Sequence, residues 1–191
     1  MSKKIPIEIS ARHLHLCQKD LATLFGKGYK LNKKNNLAQP GQFAARETVN
    51  IRFGKREISK VRVVSPLRSK TQLVEISLTD AFSLGMKVPI RKSGDLKGTP
   101  GILIIGPRNN FLLKEGVIVA WRHIHASPAE AKKWGIKNKD LVSVKIKGTR
   151  AVTFYHVMVR VRKDYRLSMH LDTDEGNAVG ITKKGIGTLI S

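Results

Sequence analysis

Cysteine occurs once in 191 residues, at Cys17. That excludes an internal disulfide framework and any zinc cluster built from cysteine alone, and it makes a reducing compartment the natural setting. Acidic residues are also scarce: 14 Asp and Glu stand against 36 Lys and Arg, a formal charge of +22. The cations are spread along the chain, so they name the sign of a partner and not the partner. Nucleic acid, an anionic surface or a phosphate-rich small ligand would each be attracted. Long apolar runs are missing. Ile102–Ile105 falls far short of the ~20 residues that span a bilayer, and Met1–Ser10 holds no stretch of signal-peptide type, which argues against secretion and membrane insertion. Aromatics reach only 6%, yet the hydrophobic share of 41% is ordinary for a folded protein.

What the chain does have is a duplicated motif. Four of its six histidines fall in Arg12-His13-Leu14-His15 and Arg122-His123-Ile124-His125, two tetrads 110 positions apart. On an extended segment residues i and i+2 share a face, so each tetrad offers two imidazoles to one point. Neutral imidazole is a common zinc ligand, and two such pairs can hold one or two ions. A strand signal (Ile5, Ile7, Ile9) precedes the first tetrad, and Gln18–Gly26 after it reads as a short helix ended by glycine. After the second tetrad, Ser127, Pro128 and Glu130 form a helix start and Gly135 a stop. Cys17 aligns with Ser127 and is read as a cap, without a metal role.

Elsewhere short β-branched segments separated by turn residues dominate: 48–53, 57–64, 71–78, 101–105, 117–121, 141–146 and 152–161. This spacing predicts a mainly β protein of barrels or sandwiches with short capping helices, in two related halves.

The remaining candidates have weaker local signals. His170 precedes a local acidic group, Asp172, Asp174 and Glu175, and is read as a ligand supported by those acids. Glu75 sits among Leu73, Val74, Ile76 and Leu78, where pattern alone reads it as a solvated strand glutamate. Arg160 shares a strand face with His156 and Arg162 and suits a phosphate dianion, or equally one more exposed cation. Arg68 and Ser93 lie in turn-rich segments.

Several stretches together resemble the phosphate propanoyltransferase family, the PduL-type phosphate acyltransferases. They are Ser10–His15, Gln39–Ala44, Pro66–Arg68 with Thr71-Gln72, Glu75–Ser77 with Thr79–Ala81, Arg91–Gly94, Thr99–Gly101, Arg122–His125 and Met169–Ala178, in family order over nearly the whole chain. The resemblance implies two β-barrel domains capped by short helices. One comprises residues 1–11 plus 121–191, so that the N-terminal strand joins the C-terminal half; the other comprises residues 12–120, with a two-metal site between them. It implies His13, His15, Glu75, His123, His125 and His170 as ligands of two divalent ions, zinc first among them. Asp172 and Asp174 would support the ligands, and Arg68, Ser93 and Arg160 would bind phosphate, with Arg68 also catalytic. The implied substrates are acyl-CoA and phosphate on one side, and acyl phosphate and CoA on the other. The chain departs from the family pattern in one extra residue before Glu75 and in Cys17, where serine is usual. Microcompartment members usually carry an N-terminal targeting extension, and none is expected here. A cytoplasmic bacterial enzyme is expected, with microcompartment recruitment by another route and self-association both left open. The competing readings are a basic nucleic-acid-binding protein with a structural zinc, whose contacts would be non-specific, and a dinuclear metallohydrolase.

Overall fold

The structure, a computed structural model, describes residues 3–69 and 73–190. Thr71, Gln72 and the extra residue before Glu75 fall in or beside the stretch outside the described residues, so the strand expected over 71–78 is seen only from Leu73. In chain order, β1 (Lys4–Ile9) leads to β2 (His13–His15), α1 (Gln18–Phe25), β3 (Lys33–Asn36), β4 (Phe43–Phe53), β5 (Arg56–Val64) and β6 (Leu73–Glu75). Then come α2 (Leu78–Leu84), β7 (Ile90–Arg91), β8 (Ile102–Ile105), β9 (Asn110–Leu113) and β10 (Val117–Ala120). The last part holds β11 (His123–Ala126), α3 (Pro128–Trp134), β12 (Leu141–Ile146), β13 (Val152–Val161), β14 (Ser168–Leu171), α4 (Thr173–Ala178) and β15 (Lys184–Ile190). Among the described residues no helix is long and apolar enough to cross a membrane.

The chain divides into two compact units, Met1–Ala11 with Ala38–Pro40 and Trp121–Ser191, and Arg12–Leu37 with Gly41–Ala120. The first is a closed barrel in the order β1-β14-β11-β13-β12-β15. β1 runs parallel to β14 and antiparallel to β15, so the N-terminal strand does join the C-terminal barrel. Its alternation explains the placement: Ile5 and Ile7 point inward to a core with Ile124, Val157, Val159, Met169 and Leu171, while Lys4 and Pro6 face out.

The second unit is a sheet in the order β7-β10-β6-β2-β5-β4-β8-β9, with β3 on β4, curled into a half-barrel. Its separate core gathers Leu14, Leu16, Leu21, Leu24, Val61, Val63, Val74 and Ile76. It stays open where a barrel is expected, because closure would require β7 and β9 to pair and β7 is only two exposed residues long.

Five strands nevertheless correspond between the units. β1-β14-β11-β13-β12 and β10-β6-β2-β5-β4 run with the same alternation of parallel and antiparallel neighbours. The strand before each tetrad pairs within the unit that does not contain that tetrad. Helix ends follow the sequence signals. Ser127 caps α3 in a full capping box with Glu130, Pro128 opens it, and Gly135 closes it in the left-handed region at φ 64. Cys17 caps α1, its sulfur accepting from the Asp20 N–H.

One expectation is corrected. The strand over 71–78 stops at Glu75, because Ser77 and Asp80 form a capping box that turns the chain into α2. Leu78, expected on a strand face with Val74 and Ile76, starts that helix and is exposed.

Candidate active site

The tetrads occupy equivalent strands. β2 lies between antiparallel β6 and parallel β5, and β11 between antiparallel β14 and parallel β13. Leu14 and Ile124 point into the cores, so each His-x-His pair shares the opposite face. Register then selects a third side chain: His13 is directly opposite Glu75, and His123 directly opposite His170. Paired residues hold their Cβ atoms roughly 4.5–5.5 Å apart. The agreement continues along the chain. Two residues after Glu75 and His170 come the N-caps Ser77 and Asp172, and five residues after come the capping carboxylates Asp80 and Glu175. Glu75 and His170 therefore hold the same place in the two units, and Glu75 is buried, where pattern alone had it solvated.

In the barrel, the rings of His123, His125 and His170 form a triangle with centroids 4.6, 4.8 and 5.2 Å apart. His123 Nδ1 lies 2.8 Å from the Trp121 carbonyl, which can only accept, so Nδ1 carries a proton and Nε2 is the nitrogen that holds the lone pair in the neutral ring. His125 is buried, and neither of its ring nitrogens has a hydrogen-bond partner. Burial, reinforced by His123, His170, Arg160 and Arg162, holds its pKa far below the usual value, so the ring is neutral. Tyr165 stacks on it with centroids 3.9 Å apart.

In the half-barrel, His13 and His15 meet edge to face at 5.3 Å, and His13 Nε2 lies 3.6 Å from Glu75 Oε2. The Arg68 guanidinium sits 3.2 Å from His15 Nε2. Burial, with the charges of His13 and Arg68, keeps the His15 pKa well below normal, against an opposing contribution from the Val64 backbone.

The other expected residues are distributed as follows. Arg160 faces His125 in the β11–β13 register, its guanidinium 6.0 Å from the Tyr165 ring centroid. Ser93 sits half-buried in the turn closed by the Asp95 N–H to Lys92 carbonyl bond. Asp172 serves α4: its Oδ1 accepts from the Glu175 N–H at 2.8 Å, and burial first of all raises its pKa. Asp174 lies in the first turn of α4.

Sequence reasoning gave no role to Gln39, Tyr165 or the tetrad arginines. Gln39, almost fully buried, bonds both backbone groups of Arg166, which fixes its amide orientation and brings Nε2 to 3.5 Å from His170 Nε2. Its place in the Gln39–Ala44 motif was the available signal. Arg12 pairs with Asp80 at 3.2 Å and Arg122 with Glu175 at 2.6 Å, and both were visible as the fixed residue before each first histidine.

Among the described residues, no group of three or more His, Cys, Asp or Glu side chains is arranged as it stands to hold an ion. The donor set still fits one chemically: imidazoles, of which His15 and His125 are buried with pKa values held low, and a carboxylate on the corresponding rung.

The phosphate propanoyltransferase family model matches residues 6–182. Proteins named phosphate propanoyltransferase are similar over most of the chain. That of Thermotoga maritima is 53% identical over 175 residues, covering 91% of this chain and 83% of its own. That of Lachnoclostridium phytofermentans is 49% identical over 187 residues, covering 97% and 87%. That of Listeria monocytogenes is 47% identical over 182 residues, covering 95% and 84%. Matches of this extent, on a fold that repeats one three-residue rung in two units, place the chain in the phosphate propanoyltransferase family, and it is an acyltransferase enzyme.

Proposed function

We propose that this enzyme moves an acyl group, propanoyl or acetyl, between coenzyme A and inorganic phosphate in either direction. One divalent ion, zinc in the first instance, is held by His123, His125 and His170, and another by His13, His15 and Glu75. The observation that carries the reading is His125, a buried neutral imidazole with both nitrogens unpartnered and two further imidazoles beside it. Leaving two polar atoms buried without partners is costly unless a ligand satisfies them.

A phosphate oxygen attacks the thioester carbonyl, the carbon–sulfur bond breaks, and coenzyme A leaves as the thiolate. Bringing two anions together and accepting a thiolate are the two barriers. The candidates for binding phosphate are Arg68 and Ser93 in the half-barrel and Arg160 in the barrel, the arginines through their forked donors. Arg68 donates to the His15 Nε2 lone pair, so its guanidinium stands beside the side chains that would hold an ion. Lewis acidity toward the leaving sulfur and the carbonyl is what such ions supply when bound. No protein nucleophile is required.

Thiol release from acyl-CoA by the metal-loaded protein, followed with and without phosphate, tests the reading. Release is expected only with both present, with acyl phosphate formed in equal amount. Release at an unchanged rate without phosphate would identify a hydrolase and sink the proposal.

A further inference from the structure

Arg12 and Arg122 precede the first ligand histidine of each tetrad, and each pairs with a capping carboxylate, Arg122 also donating through Nε to the Tyr155 carbonyl. Arg12 Nε lies 3.2 Å from Asp80 Oδ2, the same oxygen that accepts the Ser77 N–H of the α2 capping box. Arg122 Nη1 lies 2.6 Å from Glu175 Oε1, while the other carboxylate oxygen accepts the Asp172 N–H of the α4 box. Each arginine thus joins the start of the tetrad strand to the helix that follows the partner strand.

The position of that link is informative. His13 and His123 are the first residues of β2 and β11, and the rungs His13–Glu75 and His123–His170 stand at that end of their ladders. An end rung is where a strand pair opens first. Among the described residues, a charged clamp that recurs beyond it in both units is the arginine with its capping carboxylate. The arginine side chain is 42% exposed in one pair and 32% in the other. Their carboxylates are more enclosed, 9% and 19% exposed, so each arginine also compensates a largely desolvated charge where it ties strand to helix. Two such pairs, at corresponding places in the two units, tie the strand that begins with the first histidine of each tetrad to the helix cap just beyond its partner rung.

We propose that Arg12 and Arg122 are positioning residues: through the capping carboxylates of α2 and α4 they hold Glu75 against His13 and His170 against His123, each setting the ion affinity of its own unit. The inference rests on the two-ion reading above and assigns residues outside the ligand set. Partners that orient metal ligands from outside the coordination sphere are worth roughly 10- to 100-fold in ion affinity.

Cobalt(II) titration of the metal-free full chain, followed by visible absorbance and by bound metal per chain, separates the possibilities. The unaltered protein should take up two ions. Arg12→Gln should weaken one by roughly tenfold and leave the other, with Arg122→Gln weakening the complementary one. The absorbance lost should differ, because one set holds a carboxylate and the other is all imidazole. Melting of the metal-free variants is followed alongside, because a general loss of stability would weaken both ions, whereas the positioning role weakens only the ion of the altered unit. Should an arginine variant fail to fold, Asp80→Asn and Glu175→Gln retain the capping acceptor, remove the charge, and should reproduce the unit-specific weakening. Two ions bound by every variant with unaltered affinity and spectrum would overturn the arginine assignment alone. An unaltered protein that binds no cobalt would overturn the two-ion reading and this inference with it.

Discussion

His125 carries the tightest constraint of any side chain in the barrel. Its protonated form is disfavoured first by burial, then by His123, His170, Arg160 and Arg162. A histidine whose folded pKa lies below its unfolded value of 6.5 takes up its proton in the unfolded chain first. Its contribution to stability is therefore complete above about pH 6.5 and is lost as the pH falls. His15, also depressed by burial, acts in the same direction. Metal-free protein should melt at progressively lower temperature between about pH 7.5 and pH 5, with each such histidine contributing up to about 1.4 kcal/mol per pH unit. His125→Gln should flatten the profile, and a variant profile parallel to that of the unaltered protein would remove His125 as a source of the slope. Glu75 shows the limit of reading residues singly. Its neighbours alternate as on a half-solvated strand, and only the pairing of β6 with β2, a contact between segments 60 positions apart, puts it opposite His13.

Among the elements, those announced by several local signals together were legible. α3 has cap, proline, capping acid and terminal glycine within the nine residues Ser127–Gly135, and it folds as that sequence predicts. α2 and α4 have seven and six residues, too few to develop a helical hydrophobic period, so the capping boxes Ser77–Asp80 and Asp172–Glu175 were their only sequence signals. The alternation of Val74, Ile76 and Leu78 masked the first, and the pull of a metal reading on clustered acids masked the second. Strand positions were readable from period-two burial, whereas closure was not, since it depends on whether end strands meet. Because the capping serine does what α2's hydrophobic pattern does not, Ser77→Ala should cost about 1 kcal/mol, seen as a lower urea midpoint with an unchanged slope. Thr at that position should recover most of the loss. An unshifted midpoint for Ser77→Ala would show that tertiary packing alone sets the start of α2.

At the scale of the whole molecule, +22 exceeds anything the proposed site needs, since a few cations suffice to bind phosphate and the phosphates of coenzyme A. A surface excess of this size acts at a distance, raising the encounter rate with anionic substrates, and it is screened over a Debye length of ~10 Å at 0.1 M salt. Arg68 and Arg160 would act on phosphate at contact range and partly shielded from solvent, where screening is weaker. The two contributions therefore separate in steady-state kinetics. Between low salt and about 0.3 M, KM for acyl-CoA should rise several-fold while kcat changes little. A short neutral thioester lacking the nucleotide portion should show almost no salt dependence of KM. If both substrates respond alike, salt is acting on the site itself, and the distributed charge contributes nothing to substrate capture. If only acyl-CoA responds, the scarcity of acids along the chain is part of how the enzyme collects its substrate, and reversing surface lysines far from both ligand sets should lower kcat/KM in proportion to the charge removed, with the metal content unaltered.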